Sequence, residues 1–128
     1  MGLERALWRP APKRHNIWEL ALHCAFWKRV VIRGLEGHND EEGFSQQPKD
    51  FPALPDATQE NWVMALAFLE RTHRALLERV ATFGEARLGE TTAAGQRTFA
   101  ELIFGVANHD LYHAGQIQLL QVLHQDAV

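Results

Sequence analysis

The stretch Thr98-Phe-Ala-Glu-Leu-Ile-Phe-Gly-Val-Ala-Asn-His-Asp-Leu-Tyr-His-Ala-Gly-Gln-Ile-Gln-Leu-Leu120 decides the architecture. Thr98 and Glu101 form a capping box at its start, and the apolar residues behind them recur at steps of three and four, so the sequence predicts a helix from Thr98 to about Gln125. Phe99, Leu102, Val106, His109, His113, Ile117 and Leu120 fall on one face of that helix. Two imidazoles four residues apart therefore point the same way, into whatever the helix packs against.

Working outward, Asn16 and Glu19 supply another capping box, and the apolar run behind them predicts a helix over 16–33 that stops at Gly34. Its stripe Leu20, His23, Trp27 and Val30 puts a third histidine on a buried face. Residues 34–56 hold Gly34, Gly37, Gly43, Pro48, Pro52 and Pro55 with no consistent period, and read as one long crossover loop. A loop of that length can carry the chain back along the preceding helix, so the next helix is expected to run parallel to it. That helix opens at Asp56 with Gln59, or at Thr58, and ends at Phe83 before Gly84, with a seam of Trp62, Leu66, Leu69, His73, Leu76 and Val80. A connection over 84–97 follows. The first fifteen residues, with Pro10 and Pro12, offer only a helical stub at Gly2–Trp8.

No strand alternation or repeat competes, so the class is all-α, and 128 residues make one domain spanning 1–128. Hydrophobic residues at 46% and charged residues at 23% are globular proportions, and no apolar run approaches the ~20 residues of a membrane span. The N-terminus lacks a signal-peptide pattern and Cys24 is the only cysteine, which together imply a cytoplasmic protein without disulfides. Residues 1–33 carry seven Lys and Arg against two acids, but half of these flank prolines and the others end a helix, where cations complement the macrodipole. Nucleic acid is not an expected partner.

Three inward histidines from two helices suit one divalent metal, and three imidazoles leave coordination positions open, as in catalytic rather than closed structural sites. From spacing and face alone, three core histidines bonded to backbone or water fit equally well. Gln116 and Asp110 are the candidates for contacts that orient the ligands or the substrate. Tyr112 is expected to pack, with its hydroxyl hydrogen-bonded. His73 reads as a buried, satisfied histidine, Cys24 as a buried thiol, and His15, His38 and His124 as solvated. Trp18, Trp27 and Trp62 at helical spacing read as core.

The residues Asn16-Ile-Trp18-Glu-Leu-Ala-Leu-His23 with Phe26-Trp27-Lys28, Phe51-Pro52, Trp62, and His109-Asp-Leu-Tyr112-His113-Ala-Gly-Gln116 resemble the DinB-like superfamily of bacterial four-helix bundles, over about Leu3–Leu120. The resemblance implies a bundle with a long crossover loop and one metal, nickel or zinc foremost and iron third, held by His23, His109 and His113. It also implies chemistry of the kind seen in thiol S-transferases and isomerases that use bacillithiol or mycothiol, or a hydrolase counterpart acting on a small molecule. The alternative is a non-catalytic binding or structural bundle that keeps the scaffold and the metal. Relatives carry a full first helix, whereas this chain begins just before that point, so a truncated first helix and a homodimer that completes the core are expected.

Overall fold

The computed structural model describes residues 1–38 and 50–128; the part of the acidic crossover segment at 39–49 lies outside the described residues. Four α-helices account for most of the described chain: α1 (Leu3–Leu7), α2 (Ile17–Leu35), α3 (Gln59–Thr82) and α4 (Phe99–Ala127). A single 3-10 turn at Glu85–Arg87 follows α3. Among the described residues there is no strand, only an isolated bridge between Thr91 and Thr98 that closes the turn before α4. None of the helices is long and apolar enough to cross a membrane.

Each long helix starts where a side chain can satisfy its free N–H groups. The Asn16 side chain accepts from the Glu19 N–H (2.8 Å), and the Glu19 carboxylate returns a bond to the Asn16 N–H (3.0 Å). Thr58 rather than Asp56 caps α3, accepting from the Asn61 N–H (3.1 Å), while the Asp56 carbonyl takes the Asn61 amide (2.9 Å). Thr98 accepts from the Glu101 N–H at 3.2 Å.

Gly34 does not end α2. The helix continues to Leu35 and closes at Gly37, whose φ of +88° lets the His38 N–H reach the Arg33 carbonyl (3.0 Å) and the Gly37 N–H reach that of Gly34 (3.1 Å), a Schellman closure. Gly34 serves packing instead: a Cβ there would stand 2.8 Å from Leu102 Cδ2, so α4 presses onto bare backbone.

The helix α2 is central. It packs along both α3 and α4, which make little backbone approach to each other. Pairings of Trp18 with Trp62 and of Glu36 with Arg79 show α2 and α3 running parallel, as the loop length suggested. Gly34 over Leu102 and His23 beside His113 make α4 antiparallel to α2. Two apolar clusters hold these contacts. Ala6, Ile17, Trp18, Leu20, Ala21, Trp62, Ala65 and Leu120 fill one end, and Val31, Leu35, Leu76, Phe83, Phe99 and Val106 fill the other. Trp18 and Trp62 are core, as expected.

The seam on α3 differs from the predicted one. Trp62, Ala65, Thr72 and Leu76 are buried, whereas Leu66 and His73 are exposed. Both stripes obey the same heptad steps, and α2 takes the one led by Ala65 and Thr72, small enough for close approach. His73 is therefore not a buried histidine. His124, expected in solvent, is buried under the edge of Trp8 (5.5 Å), because α1 folds back over the far end of α4. The Trp62 indole donates to the Met1 carbonyl (3.0 Å) and the Leu3 N–H to Gln59 (3.3 Å), which seats the five-residue α1 as a lid on one end of the bundle rather than as a helix along it.

Candidate metal centre

His23 lies two turns into α2, and His109 and His113 lie midway along antiparallel α4, between the two apolar clusters. Their Nε2 atoms converge: His109 Nε2 stands 3.0 Å from that of His23 and 3.1 Å from that of His113. His23 and His113 are buried and His109 is half-buried.

The remaining ring nitrogens fix the tautomers. His23 Nδ1 lies 2.7 Å from the Asp50 carbonyl, and His113 Nδ1 lies 2.6 Å from Gln116 Oε1. Both acceptors are oxygens, so both Nδ1 atoms carry the proton and donate it, which leaves a lone pair on each Nε2. Burial pushes His23 below the usual histidine range, against the pull of Asp50. Burial, with His113 and His23 adding, pushes His109 down to about 4. All of this favours neutral, electron-donating rings. His109 Nδ1 is buried without a partner among the described residues. One proton on His109 Nε2 can satisfy only one of the two lone pairs facing it, whereas a cation satisfies three at once. An ion ~2.0–2.1 Å from each nitrogen requires ligand nitrogens roughly 3.0–3.4 Å apart, so the spacing found fits the group.

The crossover segment props the cluster from outside. Phe51 is sandwiched between His23 (4.1 Å, 6°) and His15 (3.8 Å, 2°), and the Trp27 indole donates to the Asp50 carboxylate at 2.6 Å. Gln116 turns its amide to the Tyr112 hydroxyl (3.3 Å). Tyr112 itself is largely exposed, its ring set edge-on to His113. Of the two residues proposed to orient the ligands, Gln116 thus touches a cluster ring, whereas the Asp110 carboxylate pairs with Lys28 of α2, which is 3% exposed. Cys24, His109 and Asp110 also bring donor atoms within 4.8 Å of one another. Burial, with Asp110 adding, pushes the Cys24 thiol up to about 11, however, and Lys28 occupies Asp110, so this second grouping is the poorer donor set. His38 and His73 are exposed and stand outside the cluster; His15 is exposed too, but bonded to Glu19 (3.1 Å).

The sequence reading gave no site role to Asp50, Phe51 or Lys28, the last two of which entered it by name only through the resemblance. Lys28 had a signal: Cys24, Lys28, Val31 and Leu35 form a buried stripe on α2, and a lysine within it needs an acid. Asp50 had none, since a carbonyl can come from any residue type.

Beside the cluster, a cavity of about 550 Å³ opens between α2, α4 and the turn before α4. Trp27, Val31, Leu102 and Val106 make its apolar wall, His109 reaches into it, and Gln96 and Arg97 stand among its polar residues.

Sequence comparison fits this picture. The DinB superfamily family model matches residues 1–117. The chain belongs to the DinB superfamily. No curated protein and no solved structure matches it. The all-α, four-helix order is thus this chain's version of the DinB fold.

Proposed function

We propose that this DinB-superfamily chain is a metal-dependent enzyme, a thiol S-transferase or a hydrolase, with His23, His109 and His113 holding one divalent ion. Nickel or zinc is the expected ion, with iron third, because an all-imidazole set suits each of them. One observation carries the reading: three Nε2 atoms converge while two of the three rings spend their Nδ1 protons outward, on Asp50 and Gln116. The chemistry such a group supplies when bound is acidification of a thiol or water, so that thiolate or hydroxide is available near neutral pH.

The chain's own residues do the rest. Asp50 and Gln116 hold the ring planes and tautomers. Trp27, anchored by Asp50, shares the cavity wall with His109, and that apolar wall strips water from a substrate lying against His109. Arg97 offers a cation for an anionic group on that substrate. The second reading, a bundle that holds metal without turnover, draws support from the cavity wall. Among the described lining residues only His109 and Arg97 are ionisable, so no separate general acid stands there.

Elemental analysis of tag-free protein tests the site. About one metal per chain in the wild type, lost in His113→Ala, is the expected result; metal-free protein that stays so after reconstitution refutes it. Thiol consumption with an electrophile series then separates the two readings, since a non-catalytic bundle consumes none.

A further inference from the structure

Gly105 leaves a gap in the wall of the cavity beside the histidine cluster. Val30 and Val31 stand on the α2 side of that cavity, and Leu102, Gly105, Val106 and His109 on the α4 side. The last four lie at spacings of three and four and so share one stripe of α4. Gly105 is the one position of that stripe without a side chain, and a glycine inside a helix weakens it. Gly34 has a packing reason, since a Cβ there would stand 2.8 Å from Leu102, but a Cβ at Gly105 would meet nothing within 4 Å. Contacts within the chain therefore give no cause for a glycine at 105. Its effect is on the cavity, where it bares the α4 backbone to whatever lies inside.

The two ends of the cavity differ in character. His109 is the lining residue of α4 farthest from the turn that precedes this helix, and the turn itself carries Arg97. The turn is tied down. The Thr92 N–H donates to the Arg97 carbonyl (2.8 Å), the Gly95 N–H donates to the Thr92 carbonyl (2.8 Å), and Thr91 pairs with Thr98. Arg97 is thus pinned at the rim by its own backbone. Arg9, Arg79 and Arg87 each bond a glutamate, whereas Arg97 bonds no acid among the described residues, and no described residue lining the cavity is acidic. A guanidinium left without a counter-charge beside an apolar wall attracts an anion. From Thr98 to His109 the helix rises about 16 Å, part of which the arginine side chain spans. An anion on Arg97 and a group at His109 are therefore separated by several carbons.

We infer that the cavity binds an alkyl carboxylate, a medium-chain monoanion with its head on Arg97, its chain across the bare backbone at Gly105 and its far end against His109. The wall selects the chain, since apart from Trp27 its apolar residues are aliphatic. The single cation selects the charge, because a second negative charge against this wall has no partner. A volume of about 550 Å³ lies within the range of small-molecule sites. As a substrate class this rests on the reading of the histidine cluster as the reacting centre, and it places the reacting carbon at the end remote from the carboxylate. The binding itself does not rest on that reading, because neither head nor chain contacts the metal ligands other than at His109.

Isothermal titration calorimetry with straight-chain carboxylates from hexanoate to decanoate, on the full chain held in chelator, tests the binding apart from any metal. The acids are expected to bind at a single site and more tightly as the chain lengthens, with the matching alkylamines at least about 10-fold weaker. Arg97→Met is expected to weaken the acids about 10-fold or more and to leave the matching alcohols unchanged. Gly105→Leu puts a good helix former where a Cβ meets nothing, so it is expected to melt no lower than wild type while losing acids and alcohols alike. No binding by any acid of the series, amines that bind as tightly as acids, or acid affinity unmoved by Arg97→Met or by Gly105→Leu overturns the inference. Metal content of the same preparations, before chelation, decides the histidine cluster separately: protein that binds the acids as described yet takes up no metal upholds the carboxylate site and refutes the metal-dependent chemistry.

Discussion

Replacing Asp110 by alanine strands a cation inside the protein. The Lys28 ammonium is 3% exposed and pairs with a carboxylate whose own side chain is 34% exposed. Removing one partner of a buried pair costs about 3–5 kcal/mol, because the survivor's desolvation is no longer offset. With Asp110 at the boundary of the interior, the lower end applies, about 3 kcal/mol, or a fall of about 10 °C in melting temperature for a chain of this size. The converse change is expected to be mild. Lys28→Met leaves a carboxylate that already reaches water, at a cost under ~1 kcal/mol. The double variant Lys28→Met/Asp110→Ala removes both charges and should recover most of what Asp110→Ala alone loses. Denaturant melts of the four proteins, run with a chelator so that nearby His109 contributes no metal, measure all three values. If Asp110→Ala costs less than about 1 kcal/mol, or the double variant is no better than Asp110→Ala, then water rather than Asp110 satisfies Lys28 and the reasoning fails.

Gln116→Ala removes the acceptor of the His113 Nδ1 proton and is expected to weaken metal binding about 10–100-fold without abolishing it, as read by competition with a chromogenic chelator. Glu19→Gln tests the N-terminal corner. Burial raises the Glu19 carboxyl, but bonds from Arg9 (2.7 and 2.6 Å), the Asn16 N–H and His15 outweigh it and hold the group at about 2, against 4.5 ordinarily. The folded value is depressed, so this stabilisation is fully present above pH 4.5 and disappears as pH falls through about 2. Discounted for the exposure of Arg9, Glu19→Gln should cost about 1–2 kcal/mol at pH 7 and nothing near pH 2, and an equal cost at both pH values would count against the assignment. Cys24 is buried, so Ellman's reagent should label native protein only at the rate of global unfolding; prompt labelling would show an opening of α2.

Helix existence and type were legible because capping and periodicity are local. Asn16, Thr58 and Thr98 each satisfy N–H groups within a turn of themselves; Asn16 and Thr98 stand where the sequence put them, and Thr58 is one of the two caps it offered for α3. The three histidines were legible for the same reason, since each lies on an apolar face of its own helix. The α3 seam was read wrongly: the periodicity predicts burial of the stripe with Leu66 and His73, and α2 buries the adjacent one with Ala65 and Thr72. Leu66 and His73 follow the same heptad as Ala65 and Thr72, and only the shape of α2 decides between them. Gly34 misled because a glycine near a helix end serves equally as a stop or as a seat for a neighbour, and Leu102 lies 68 residues away in the chain. His124 under Trp8, and Asp50 beneath His23, depend on contacts between distant segments, which no local pattern encodes.

The two-residue clasp of Asp50 and Phe51 makes the crossover a stakeholder in whatever His23 binds. Asp50 takes the His23 proton and the Trp27 indole, and Phe51 lies against the ring. Occupancy at His23 and seating of this clasp therefore share one free energy, and linkage runs both ways. A ligand that tightens the imidazole tightens the clasp, and a change that unseats Phe51 loosens the ligand by the same factor. A substitution at either of these two residues therefore retunes affinity from outside the histidine cluster altogether.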